Sequence, residues 1–214
     1  GTEFQVFVSV DGGDSWLSMR NDMPVNPVHD LKIHPREEDL IVATHGRGLY
    51  IADVSPLDEV SQATLAEAAH FFQPESRVRW IADDRTNYAS SNYAGESEEM
   101  AIPFYYWLRS AEDAVTFTVY QGNVAVAELE GSGEAGLHAV KWNMDRREER
   151  NEVQQRVARE RFERFGRTPD EDEIRWSSTP APAGEYRVVM RVNGREVAAR
   201  TASILKDEWW MLRR

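Results

Sequence analysis

The sequence predicts a mainly β fold in two parts, and three observations lead there. The first sixty residues alternate apolar and polar positions between clusters of turn formers. A second series of six alternating segments joined by short turns lies between Ala101 and Leu205. Between Asp145 and Thr179 the apolar spacing changes from that of a strand to that of a helix, which marks a helical segment within the β series.

In the first part the candidate strands are Phe4 to Val10, Ser15 to Met19, Val28 to His34, Asp39 to Thr44 and Gly48 to Asp53. Laying Gly1–Val8 over the stretch 43 residues on, Thr44–Ile51, brings Val6, Phe7 and Val8 into register with Leu49, Tyr50 and Ile51. A period of that length lies in the range of β-propeller blades, about 40 to 50 residues. Independently, Ser9-Val-Asp11-Gly-Gly13-Asp-Ser15-Trp16 fits the Asp-box pattern S-x-D-x-G-x-[ST]-W at every defined position. The physics is that of a hairpin turn: Asp11 accepts backbone N–H bonds, Gly12 and Gly13 take positive φ, and Trp16 packs under the turn. With VNPVHDLKIHPREEDLIVATHGRGLYIADVSPL, this resembles the final repeats of BNR or sortilin-like propellers. The resemblance implies that residues 1–58 are closing repeats, since Asp53-Val-Ser-Pro56 stands where another Asp-box would fall.

Pro56 starts a turn and a short helix with Leu57, Val60, Leu65 and Ala68 on one side, read as a linker over 59–70. A polar loop is expected from Ala82 to Gly95. Strands follow at Ala101 to Arg109, Val115 to Gln121, Val124 to Glu130, Leu137 to Met144, Glu185 to Val192 and Arg195 to Leu205, the pattern of a β-sandwich over 71–207. YAGESEEMAIPFYYWL, EAGLHAVKWNMD and PAPAGEYRVVMRVNGR resemble the immunoglobulin-like domain of the flagellar hook-capping family, a fibronectin-III-like sandwich. There a Trp strand and a Pro-x-Gly-x-Tyr strand meet in the core, which assigns Trp142 and Tyr186 to those places.

The insertion, 146–178, departs from that family. Val153, Val157, Ala158, Phe162 and Phe165 form a helical stripe, so a helix of about five turns is expected from Arg146 to Phe165. Gly166 ends it, and Thr168-Pro169-Asp170-Glu171 supplies an N-cap, a first-turn Pro and a capping-box acid for a second helix to Trp176. This hairpin is expected to pack on the sandwich or propeller, or to present a partner-binding face. Residues 208–214 read as a tail.

Chemistry is constrained mainly by exclusion. A net charge of −12 opposes binding to phosphate backbones. The absence of cysteine removes disulfides, thiolate metal sites and a cysteine nucleophile, and no apolar run is long enough to span a membrane. His29, His34 and His45 lack the close spacing of a ligand set and read as turn and packing residues. Asp83, Asp84, Glu96, Glu98 and Glu99 fall in a polar loop, where a solvated role is expected over a carboxylate pair or a loose Ca²⁺ site. Gly46-Arg47-Gly48 and Gly131-Ser-Gly133 read as turns, being too short to cradle phosphate.

Function is therefore expected to be non-catalytic, with no catalytic residue, metal or cofactor. The Asp-box residues Ser9, Asp11, Gly13, Ser15 and Trp16 are structural, and Trp142 and Tyr186 are core. The resemblance implies a secreted, periplasmic or cell-surface protein whose partners are further propeller blades and a protein, peptide or glycan ligand. A second class stays open: the C-terminal flank of a glycoside hydrolase or sialidase-like enzyme whose catalytic groups lie in other blades.

Overall fold

A computed structural model describes residues 1–19, 23–35, 38–80 and 99–208. The expected loop from Ala82 to Gly95, with Asp83, Asp84, Glu96 and Glu98, lies outside the described residues, as does all but the first residue of the tail. The fold is mainly β with a curled half-barrel sheet.

Strands β1 (Phe7–Val8) and β2 (Leu17–Ser18) form a hairpin, and β3 (Val28–Ile33), β4 (Asp39–Thr44) and β5 (Leu49–Asp53) form an antiparallel meander. The hairpin lies on one face of the meander. Val6, Met19 and Met23 meet Val28, Leu31, Leu40, Val42 and Tyr50 there in a small apolar core. A 3₁₀ turn (Ser55–Glu59), with Pro56 in its first turn, and helix α1 (Gln62–Ala66), capped by Ser61 accepting from Thr64 N, form the turn and short helix expected there. The chain is extended again at β6 (Ala69–Phe71).

Beyond the linker two sheets enclose the main core. One has the order β11 (Gly136–Trp142), β8 (Ile102–Leu108), β6. The other runs β10 (Val124–Gly131), β9 (Val115–Gln121), β14 (Gly184–Val192), β15 (Arg195–Lys206), β7 (Arg77–Arg79). Alternation explains the contacts: Ile102, Phe104, Tyr106 and Leu108 point in from β8, and Val115, Phe117 and Val119 from β9. Val188 and Met190 from β14 and Ala202 and Ile204 from β15 complete that interior. Asn193 and Gly194, both at positive φ, make the tight turn between β14 and β15.

Gly131-Ser-Gly133, expected to be a simple turn, has a different reason for its glycines. A Cβ on Gly133 would lie 2.1 Å from the Glu112 carbonyl oxygen, and one on Gly131 would lie 2.6 Å from the Tyr106 hydroxyl. Close approach of a backbone carbonyl at Gly133 and of the Tyr106 side chain at Gly131, not turn conformation, selects glycine here.

The insertion differs from expectation at its base. Residues Asp145–Glu149 are strand β12, paired with β13 (Trp176–Pro180), and helix α2 begins only at Glu152 and runs to Arg164. Asn151 and Gln154 form its capping box. Gly166 at φ 66° closes it, Gly166 N bonding to Glu163 O and Arg167 N to Phe162 O, a Schellman arrangement. Helix α3 (Glu171–Arg175) starts two residues later than the Thr168 cap implied, because Asp170 and Glu173 make the reciprocal capping bonds. The stripe does not pack on the body either: α2 buries no residue, and Val153, Val157 and Phe165 are exposed.

Candidate functional site

The Asp-box hairpin is held by its own side chains. Asp11 accepts from Ser15 N at 2.9 Å, from the Ser15 hydroxyl and from the Ser9 hydroxyl at 2.8 Å, while Ser9 Oγ accepts from Gly13 N at 2.7 Å. Bonds from Ser15 foremost, then from Ser9, hold the Asp11 carboxyl down at about 2. Gly12 and Gly13 take positive φ. Trp16 is not covered as expected: its ring lies beside Gly13 and donates to Gly13 O at 3.1 Å, yet it remains 62% exposed. Every polar valence of the Asp11 carboxylate that the hairpin reaches is spent on the turn itself.

Trp142 and Tyr186 are brought together. Their rings pack edge-on at 5.0 Å, Trp142 Nε1 donates to Asp145 O at 2.8 Å, and Tyr186 Oη donates to Pro182 O at 2.7 Å. Each aromatic thus buries its ring and satisfies its one donor. His29 and His45 rings lie 4.9 Å apart at the end of the meander, and Glu99 is exposed and paired with Lys141 at 2.7 Å. Among the described residues no three His, Cys, Asp or Glu side chains are placed to share a metal ion, and no helix is long and apolar enough to cross a membrane.

Two surfaces stand out. The first is the meander face opposite the hairpin. Cross-strand partners share a face, so Ile41 with Ile51 and Ala43 with Leu49 form one apolar patch. Leu49 is 68% and Ile51 67% exposed. Asp30, Lys32, Asp39 and Asp53 flank the patch on this face, and no described residue buries Leu49 or Ile51.

The second surface is the junction between meander and two-sheet body, which the sequence did not disclose. Asp53, at the end of β5, accepts from Tyr105 Oη of β8 at 3.1 Å and lies 3.6 Å from the Arg77 guanidinium of β7. Glu75 reaches the same guanidinium at 3.1 Å. Asp53, Glu75 and Arg77 side chains are each at most 16% exposed, so their charges act through poorly screening surroundings. Burial first, then the Asp53 charge, drives the Glu75 carboxyl up to about 7; Arg77 opposes this, and Glu38 and Asp39 add to it. Burial and the same aspartate push the Tyr105 phenol up, so it remains a hydrogen donor. Nearby, Glu59 accepts from Gln73 N at 2.6 Å and pairs with Arg200 and His70, both at 3.4 Å. An open cleft of about 510 Å³ runs between these groups, lined by Glu38, Asp58, Glu59, Gln73 and Glu75.

The only trace of this junction in the sequence is a polar Tyr105 at an outward position of an apolar strand and arginines at alternate positions of β7. No protein-family model, curated protein or solved structure matches the chain.

Proposed function

We propose that the chain is a non-catalytic structural and interaction region of a secreted BNR-repeat protein of sortilin-like kind. Residues 1–58 would be the closing repeats of its β-propeller, and the two-sheet body an immunoglobulin-like docking module. The observation that carries this reading is the meander with an apolar core on one face and the exposed Leu49–Ile51 patch on the other. Blades stack face to face around a ring, so a blade needs apolar residues on both sides. One side of the meander already carries the Asp-box hairpin through Val6, Met19 and Met23. The Leu49–Ile51 side and the outer edge of β5 would receive the next blade.

Support also comes from the turn. The Asp11 carboxylate is engaged by Ser9 and Ser15, as a structural Asp-box requires, which leaves it poorly suited to acid–base work. In the body, the hydroxyl of Tyr186 bonding back to Pro182 O resembles the tyrosine corner of immunoglobulin-like sandwiches.

Sedimentation velocity with a dye that reports apolar surface tests the reading. The 214-residue chain is expected to bind the dye and self-associate at micromolar concentration, and Leu49→Lys with Ile51→Lys is expected to abolish both without changing the far-ultraviolet circular dichroism. A wild-type chain that stays monomeric and binds no dye would count against a blade face.

A further inference from the structure

Two carboxylates from different parts of the chain converge on one guanidinium at the junction. Asp53 belongs to the meander, Arg77 to β7 of the body, and Glu75 to the segment leading into β7. Asp53 is the meander's link to the body here, through Arg77 and through Tyr105. Glu75 competes for the same cation and adds a negative charge to a place that already holds Asp53, Glu38 and Asp39, with Asp58 and Glu59 across the cleft. Its charge state therefore decides how firmly Arg77 serves Asp53.

We propose that Glu75 is a proton-controlled latch between the meander and the two-sheet body: protonated, it leaves Arg77 to Asp53 and holds the two together; ionised, it draws on Arg77, repels Asp53 and loosens the meander. The inference depends on the junction alone and does not require the meander to be a propeller blade.

The sign follows from linkage. The Glu75 proton is held to about pH 7 when the junction is closed, and released near the ordinary 4.5 when it is open. Closure is thus favoured below that window and weakened as pH rises through it. His70 also lies at the junction, but it faces Glu59 and Glu67 rather than Glu75.

Hydrogen exchange of the full 214-residue chain between pH 5.5 and 8.5, corrected for intrinsic rates, tests this. Protection of the β5 amides Tyr50 to Asp53 is expected to fall about 30-fold in the wild type as pH rises, because a proton held to about 7 in the closed state and to 4.5 in the open one gives about 1.5 powers of ten between pH 5.5 and 8.5. Protection should stay high and flat in Glu75→Gln, while His70→Gln should retain the wild-type fall. A second readout needs no variant: the carbon shift of the Glu75 carboxyl should titrate at the pH where protection changes. A pH-independent wild type, an equal fall in Glu75→Gln, or a Glu75 carboxyl that titrates below pH 5 would overturn the latch.

Discussion

Replacing Glu75 by glutamine should make the protein more stable, and more so as pH rises. An acid that ordinarily ionises at 4.5 but holds its proton to about 7 in the folded state makes ionisation costlier there than in the unfolded chain. At about 1.4 kcal/mol per tenfold in proton affinity, the cost reaches about 3 kcal/mol above pH 7. Between about pH 4.5 and 7 the folded state binds the extra proton, so wild-type stability declines with rising pH over that range and then levels off. Glutamine keeps an oxygen for Arg77 but carries no charge to repel Asp53. The ion pair it gives up with Arg77 returns about 1 kcal/mol at most. The net expectation is near-equality at pH 5 and a gain of about 2 kcal/mol at pH 8. Urea unfolding at intervals across this range measures it, and the difference between the two proteins cancels histidines common to both. A variant less stable than wild type at pH 8, or a difference that does not change with pH, would refute the account of the junction.

Other expectations follow from single contacts. Gly133→Ala sets a methyl 2.1 Å from the Glu112 carbonyl and should cost at least about 2 kcal/mol, seen as a lowered denaturation midpoint, with soluble folded yield as the secondary readout. Tyr186→Phe keeps the ring against Trp142 but removes the bond to Pro182 O, for a loss of about 1 kcal/mol by urea unfolding. Since Asp11 is held at about 2 against an ordinary 3.8, its support for the hairpin is present above about pH 4 and disappears as pH falls toward 2. Proteolysis of the Ser9–Trp16 turn by an acid-active protease should accelerate over that window in the wild type, and Asp11→Asn should be cut readily throughout.

Local chemistry was legible where it was dense. The bounds of β4 and β9 coincide with the alternation of Asp39–Thr44 and Val115–Gln121, and the Asn193-Gly194 turn sits where the dipeptide demands positive φ. Gly166 closes α2 as its position after the stripe implied. What could not be read was pairing between distant charged segments. Arg146 to Glu149 carry no apolar alternation, and their partner Trp176–Pro180 lies beyond two helices, so in sequence the ribbon reads as the start of α2. Helical spacing in Val153, Val157 and Phe165 correctly marks a helix but does not say that anything covers it. The junction is harder still: Asp53 and Tyr105 are 52 residues apart, and neither has a neighbour in sequence that announces the other. Burial turns an ordinary glutamate into one that titrates near neutrality, and burial there is a property of the assembled sheets.

Strand β7 is three residues long and runs parallel to the end of β15, Arg77 opposite Ile204 and Arg79 opposite Lys206. Its two arginines, on one side of the strand, reach in different directions. Arg77 holds Asp53 of the meander, whereas Arg79 holds Met144 O and Asp145 at the foot of the ribbon that carries both helices. The meander and the helical arm thus hang from the same short rod. Beside the covalent chain and the Tyr105 bond, β7 is thus a shared side-chain anchor, and peeling it from β15 loosens the meander and the helical arm together.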